Sequence, residues 1–157
     1  MGVEIERKFL VEGKPWDMGY KTKVNKIQQG YISKSKKHTV RVRLQNDKAM
    51  ITIKGPTKGM TRSEFEYAVP YEDGLELIKM CDGNIIDKTR YVITDNHGQV
   101  WDVDVFHGIN EGLVVAEIEL LSEDADIVLP DWVRAEVTYD KRYTNVYLSN
   151  HSVILIS

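Results

Sequence analysis

Hydrophobic and polar residues alternate along most of the chain with a period of about two, which is typical of β-strands whose two faces differ in polarity. In the first such stretch Glu4, Glu6 and Lys8 share one face, and the opposite face is mostly apolar. The same alternation predicts seven further strands, over residues 27–33, 39–45, 49–54, 62–69, 86–93, 99–106 and 113–121.

Other patterns replace the alternation in a few places. Residues 71–82 carry apolar side chains at helical spacing, which predicts a helix. Ser122 is of a type that caps helices, and the acidic residues after it suit the positive end of a helix, so a second helix is predicted up to Pro130. A third, short helix is predicted over residues 140–149. Before the second strand, the sequence predicts a loop that lasts to Asn25.

These elements predict a fold of the mainly β (α+β) class. Eight strands are enough to close an antiparallel β-barrel, which the helices would partly cover. A chain of 157 residues is long enough for one hydrophobic core, so residues 1–157 are expected to form a single domain.

The composition of the chain limits which binding partners and which cellular location are expected. The formal net charge is −3, which gives no general attraction to nucleic acid or to anionic membranes. Cys81 is the only cysteine, so no intramolecular disulfide can form. No apolar run reaches the roughly 18 residues of a membrane span, and the N-terminal residues do not resemble a signal peptide. We therefore expect a cytoplasmic location.

The polar faces of the strands carry almost only ionisable residues. For a single strand, the solvent-exposed face of an antiparallel sheet explains such a pattern. Across the set, however, basic and acidic residues are segregated onto different strands, which indicates a tunnel with a basic and an acidic wall. The basic positions are Arg41, Arg43, Lys54, Arg62, Lys88 and Arg90, and the acidic ones are Glu64, Glu66, Asp102, Asp104, Glu117 and Glu119.

Such an interior suits a polyphosphate held with metal ions. Arginine and lysine side chains bind phosphate oxygens, whereas clustered carboxylates repel them unless divalent cations lie between. Mg²⁺ and Mn²⁺ accept oxygen ligands from carboxylates and substrate phosphates together. The two walls together therefore indicate metal-assisted phosphoryl transfer.

Residues 3–148 of the sequence resemble the CYTH superfamily of triphosphate tunnel metalloenzymes. It looks like the short bacterial members that hydrolyse inorganic tripolyphosphate. The stretches that carry the resemblance are Glu4-x-Glu6-x-Lys8, Gln29-Gly30-Tyr31-Ile32, Arg41-Val42-Arg43, Lys54-Gly55, Glu64-Phe65-Glu66-Tyr67, Lys88-Thr89-Arg90-Tyr91, Asp104-Val105-Phe106, Glu117-Ile118-Glu119 and Asp140-Lys141-Arg142-Tyr143-x-Asn145.

The resemblance implies a role for each matching residue. Metal binding, of one or two Mg²⁺ or Mn²⁺ ions, is implied for Glu4, Glu6, Asp104, Glu117 and Glu119. Triphosphate binding is implied for Lys8, Arg41, Arg43, Lys54, Arg62, Lys88 and Arg90. Tyr31 and Lys88 are the candidates for proton transfer. A tyrosine with a pKa of about 10 is a poor base at neutral pH, so nearby cations would have to lower that pKa.

Three alternatives remain open at this stage. The same walls would serve a thiamine-triphosphatase or nucleoside triphosphatase, or a class IV adenylate cyclase, although no dedicated residues for adenine and ribose are evident. A polyphosphate-binding module without turnover would keep the basic wall, but it would leave the acidic wall unexplained. A homodimer is expected because three short helices cannot cover the outward apolar faces of eight strands.

Overall fold

The computed structural model describes residues 2–150, in which nine antiparallel strands form one sheet. The strands are β1 Gly2–Val11, β2 Lys21–Lys34, β3 Thr39–Gln45, β4 Lys48–Lys54, β5 Thr61–Val69, β6 Asp82–Thr94, β7 Val100–Phe106, β8 Val114–Glu119 and β9 Val133–Glu136. Strand β1 pairs with both β5 and β8, so eight strands close in the order β1-β5-β4-β3-β2-β6-β7-β8. The predicted eight-stranded antiparallel barrel is confirmed.

Two α-helices accompany the barrel in the described part of the chain, α1 (Tyr71–Ile78) and α2 (Asn145–Leu148). Helix α1 lies against the outer faces of β3 and β4. Gly74 permits this approach, because a Cβ atom there would come within 2.3 Å of the Ala49 Cβ. No helix within residues 2–150 combines the length and the hydropathy that a membrane-spanning helix requires.

The larger hydrophobic core lies outside the barrel. Phe9, Trp101 and Trp132 form its centre, with ring centroids of Trp101 5.8 Å from Phe9 and 5.5 Å from Trp132. Apolar residues of the segment 120–133 pack onto the same strand faces. One side of the barrel is therefore covered by this irregular segment rather than by a helix.

A second apolar cluster closes one end of the barrel from within. Strand alternation places Leu10, Phe106 and Val115 on the same inward face as the charged residues. Leu148 of α2 is fully buried against this cluster. We call this end of the barrel the closed end.

Several predicted boundaries are wrong, and long-range contacts explain why. Residues 21–25 are not a loop, because they extend β2 by pairing with β6 from Lys21 opposite Thr94 onwards. The predicted helix from Ser122 to Pro130 does not form, and that segment is irregular, with a turn at its start and Ala125 and Ile127 packed against the outer core.

The C-terminal part of the chain also differs from prediction. Strand β9 was not predicted, and it adds to β1 outside the ring of eight. Residues 140–149 form a 3₁₀ turn, Lys141–Tyr143, followed by the short helix α2. The Thr144 side chain accepts a hydrogen bond from the Tyr147 backbone N–H and so begins α2 afresh after the turn.

Candidate active site

The inward-facing charged residues surround a cavity of about 850 Å³ inside the barrel, which we call the tunnel cavity. Residues 98–100 and 118–121 lie at its mouth, and Asn145 of α2 reaches it from the C-terminal segment. The ionisable residues that line it within the barrel are Glu4, Glu6, Arg41, Arg43, Lys54, Glu64, Glu66, Arg90, Asp102, Glu117 and Glu119.

The acidic wall is built where β1 pairs with β8 and β5. The carboxyl group of Glu6 lies close to that of Glu117, and the carboxyl group of Glu4 close to that of Glu64, so the members of each pair shift one another's pKa. Two carboxylates at close range repel each other, so each pair binds a proton more readily than an isolated carboxylate does. In the absence of cations, the wall therefore retains protons at a higher pH than isolated carboxylates do.

The pKa values on this wall are displaced in opposite directions. Burial, together with the charges of Glu117 and Glu4, raises the pKa of Glu6 well above its usual range. Burial and the neighbouring Glu4 carboxyl group raise the pKa of Glu64 to about 7. Burial would also raise the pKa of Glu117, but the neighbouring cations, Lys8 foremost, outweigh it and hold that pKa far below normal. Glu117 therefore ionises far more readily than its neighbour Glu6.

The basic wall has donors without protein partners. Within residues 2–150, the buried Nε of Arg41 has no hydrogen-bond acceptor, although its Nη2 donates to Thr52 Oγ1 at 3.0 Å. Arg43 donates only to the neutral Gln29 Oε1, at 2.8 Å. Burial, then the charges of Arg41 and Arg90, lower the pKa of Arg43 to about 9. An anion in the cavity would satisfy both guanidinium groups.

Lys54 links the two walls, because its Nζ donates to both carboxylate oxygens of Glu4 at 3.0 and 3.1 Å. Burial alone would raise the pKa of Glu4, but Lys54 lowers it overall. Strand β5 lies between β1 and β4 and brings these two side chains together.

Buried ion pairs organise the part of the site nearest the closed end. Asp104 accepts two hydrogen bonds from Arg90, at 2.8 and 2.9 Å, and its Oδ2 lies 2.7 Å from Lys88 Nζ. Burial lowers the pKa of Lys88 to about 7 even though Asp104 opposes the shift. Lys8 Nζ lies 3.5 Å from Glu117 Oε1 and donates to the Tyr143 carbonyl at 3.0 Å.

The structure brings most of the predicted site residues together around the cavity. Those that line it are Glu4, Glu6, Arg41, Arg43, Lys54, Arg90, Glu117 and Glu119. Those that lie inside the barrel but do not line it are Lys8, Tyr31, Lys88 and Asp104. Arg62 does not line the cavity; its guanidinium donates twice to the Gly55 carbonyl, at 3.1 and 3.0 Å, and its charge acts on Tyr31.

The pKa of Tyr31 is shifted in the direction that makes its hydroxyl a poorer base. Burial raises its pKa, and the cations Arg41 and Arg43 offset that rise only in part. Its hydroxyl is therefore protonated at neutral pH. A role for Tyr31 in proton transfer stays a prediction.

Several residues that line the cavity were not among the predicted site residues, and they include Glu64, Glu66, Asp102 and Asn145. The alternation had already placed Glu64, Glu66 and Asp102 on the acidic wall, but no site role was predicted for them. Asn145 comes from a helix, and the strand pattern carries no signal for it.

The chemistry of the donor set fits a divalent cation. No three carboxylate, histidine or cysteine side chains of residues 2–150 converge as a preformed metal cluster. When a divalent cation binds, each of the two carboxyl pairs would instead lose a proton, and the cation would neutralise the carboxylate charge. Small hard cations bound through one or two carboxylates complete their coordination with substrate phosphates and water, which matches this partial set.

Comparison with known proteins identifies the family. A family model for the CYTH domain matches residues 2–149. The chain belongs to the CYTH family. The resemblance drawn from the sequence motifs is thereby confirmed, and CYTH membership implies a divalent metal cofactor for triphosphate hydrolysis.

Two CYTH relatives are similar over nearly their whole length, and both are inorganic triphosphatases. The protein of Acetivibrio thermocellus is 45% identical over 148 residues, which is 92% of each chain. That of Nitrosomonas europaea is 35% identical over 149 residues, covering 93% of this chain and 96% of the relative.

A solved crystal structure shares the CYTH fold. The structure of the inorganic triphosphatase NE1496 superposes with a TM-score of 0.71 at 33% sequence identity. The superposition covers 96% of this chain and 97% of that one.

Proposed function

We propose that this protein is a metal-dependent triphosphatase that removes the terminal phosphate of inorganic tripolyphosphate and yields pyrophosphate and phosphate. The observation that carries the proposal is a single cavity lined by Arg41, Arg43 and Arg90 on one wall and by Glu4, Glu6, Glu117 and Glu119 on the other. The two triphosphatase relatives support the same substrate.

The basic wall would bind the triphosphate. Arg43 donates to the neutral Gln29, and Arg41 Nη2 lies 3.6 Å from the partly exposed Glu66, so both guanidinium groups would bond to phosphate oxygens in the cavity. Arg90 lines the cavity with its guanidinium fixed by Asp104, so it is preorganised for an anion. Lys54 would exchange part of its bond to Glu4 for a phosphate contact.

The acidic wall would bind one or two Mg²⁺ or Mn²⁺ ions through Glu4, Glu6, Glu117 and Glu119, which all line the cavity. When bound, the cation neutralises phosphate charge and lowers the pKa of the attacking water. Asp104 is also in the predicted metal set. Because both of its oxygens bond to cationic side chains, its geometry favours the orientation of Arg90.

Proton transfer is assigned to groups around the closed end. Lys88 Nζ, with a pKa of about 7, can hold or release a proton at neutral pH. The Tyr31 hydroxyl, with a raised pKa, would serve as a proton donor to an oxygen rather than as a base.

A substrate panel tests the proposal. Purified protein is given tripolyphosphate, ATP, thiamine triphosphate and pyrophosphate with Mg²⁺ or Mn²⁺, and phosphate, pyrophosphate and cyclic AMP are measured. We expect metal-dependent release of phosphate, fastest from tripolyphosphate. No metal-dependent release would overturn the proposal, and cyclic AMP from ATP would identify a cyclase instead.

A homodimer is a further part of the proposal. Apolar side chains remain exposed on the outer faces of β4 and β5, including Ile53 and Tyr67, and on α1 at Leu75. Light scattering after size exclusion measures the mass directly, and a monomer at micromolar concentration would contradict this expectation.

A further inference from the structure

Asn145 is the residue of helix α2 that reaches the tunnel cavity. Its Oδ1 accepts a hydrogen bond from Lys88 Nζ at 3.3 Å. Lys88 itself is fully buried and does not line the cavity. Asn145 therefore connects a sealed ammonium group to the space that a ligand would occupy.

The chemistry of lysine fixes which way the amide faces. In its ion pair with Asp104, Lys88 is an ammonium group, which has only donors, so the Asn145 atom beside it is the carbonyl oxygen. The opposite half of the amide is then the Nδ2 group, with two N–H donors. Within residues 2–150, no hydrogen bond satisfies Nδ2.

The backbone around Asn145 is held from several sides. The Tyr143 carbonyl accepts from Lys8, and the Thr144 side chain caps α2. Leu148, one turn further along, is fully buried in the apolar cluster of the closed end. The Asn145 amide is thus a fixed donor, the kind of group that binds an anion without reorganising.

We propose that Asn145 is a substrate-binding residue, whose Nδ2 donates a hydrogen bond to the phosphate group nearest the closed end while Lys88 holds its Oδ1. The proposal rests on the proposed function, because it takes a triphosphate as the ligand of the cavity. It adds to the basic wall a neutral donor that comes from outside the barrel strands.

An isosteric substitution separates this role from a purely structural one. Asn145→Asp keeps the acceptor for Lys88 but replaces the donor with an anionic oxygen. If Asn145 only anchors Lys88, KM for tripolyphosphate stays at the wild-type value, although the new carboxylate beside Lys88 can change kcat. If Nδ2 binds phosphate, KM for tripolyphosphate rises by roughly tenfold or more, as expected for losing a hydrogen bond to a charged group.

Asn150 offers a matched control. Its Oδ1 also accepts from a lysine, Lys34 Nζ at 2.9 Å, but it is exposed and does not line the tunnel cavity. Asn150→Asp therefore makes the same chemical change outside the site, and we expect its KM to equal that of the wild type. Thermal denaturation confirms that each variant is folded.

A second variant keeps the proposal testable if Asn145→Asp fails to fold. Asn145→Leu has nearly the same volume and no polar atoms, and we expect KM to rise in the same direction. A wild-type KM in the folded Asp variant, or in the Leu variant if only that one folds, overturns the proposal. Lack of activity in the wild type would instead refute the proposed function.

Discussion

Lys88 and Asp104 form a fully buried ion pair inside the barrel, with Nζ 2.7 Å from Oδ2 and side chains that are 0% and 2% exposed. Asp104 also binds the Arg90 guanidinium through two hydrogen bonds. One carboxylate therefore balances two buried cations, and it fixes Arg90 in the position from which it lines the tunnel cavity.

Replacing Asp104 by asparagine should strongly destabilise the protein. Removal of the carboxylate charge leaves the buried Lys88 without its anionic partner and leaves Arg90 with only the more exposed Asp102, and breaking a buried pair in this way typically costs about 3–5 kcal/mol. Chemical denaturation measures the free energy of unfolding. Asp102→Asn is the control, because Asp102 is 39% exposed and lies 3.5 Å from Arg90, so it should change stability little. Equal stability of the two variants would contradict this account.

The barrel was predictable because inward and outward positions differ in chemistry on every strand. Glu4, Glu6 and Lys8 show the alternation at its clearest, and their strand pairs as the sequence indicates. The start of β2 and the irregular segment 120–132 were not predictable, because pairing with β6 and packing on the outer core determine them. Local pattern carries no information about such distant contacts.

For the site, the sequence indicated which charged residues face inward but not which of them meet. It could not show that Arg62 donates to the Gly55 carbonyl or that the Asp104 carboxylate pairs with buried cationic side chains. Nor could alternation reveal Asn145, whose position depends on how α2 packs across the closed end. Those relationships arise from barrel closure, which brings together residues far apart in the chain.

Gly74→Ala should destabilise the packing of α1 on the barrel. The new Cβ would lie 2.3 Å from the Ala49 Cβ and 3.0 Å from Leu44 Cδ2, so the helix must shift outwards. Overpacking of this kind costs about 1–3 kcal/mol, which thermal denaturation measures. Glu76→Ala on the same helix is the control and should have little effect, since Glu76 is 74% exposed. A stability gain in Gly74→Ala, as helix propensity alone predicts, would disprove this packing.

Without divalent cations, stability should fall as the pH rises from about 5 to above 7. The pKa of Glu64 is raised from 4.5 to about 7, so the folded state binds more protons than the unfolded state in this window. A raised carboxyl pKa contributes stability below the unfolded value, and that contribution is lost as the pH passes the folded value.

Denaturation at several pH values with a chelator tests this dependence. Glu64→Gln should flatten it, and a divalent cation should restore stability at high pH by binding the folded state. Glu136→Gln serves as the control, because Arg7 holds the pKa of Glu136 below normal and the residue is ionised throughout the window. If the free energy of unfolding of Glu64→Gln depends on pH as that of the wild type does, the acidic wall does not hold the proton.

Arg41→Ala should chiefly weaken substrate binding. The Arg41 side chain lines the tunnel cavity, and its buried Nε has no acceptor within residues 2–150. Loss of a charge-assisted contact costs about 1.5–3 kcal/mol, which corresponds to a KM for tripolyphosphate roughly tenfold higher or more. The exposed Arg134, which pairs with Glu12, provides the control variant Arg134→Ala. A wild-type KM in Arg41→Ala would remove Arg41 from the basic wall.

The rate of phosphate release from tripolyphosphate by Glu117→Gln, with saturating Mg²⁺, tests whether the acidic wall is the metal site. Glu117 lines the cavity as an ionised carboxylate beside Glu6 and Lys8. We predict a loss of turnover of roughly a hundredfold or more, with tripolyphosphate binding retained and Glu136→Gln fully active. Undiminished turnover in folded Glu117→Gln would contradict the account, because the acidic wall would then not be the metal site.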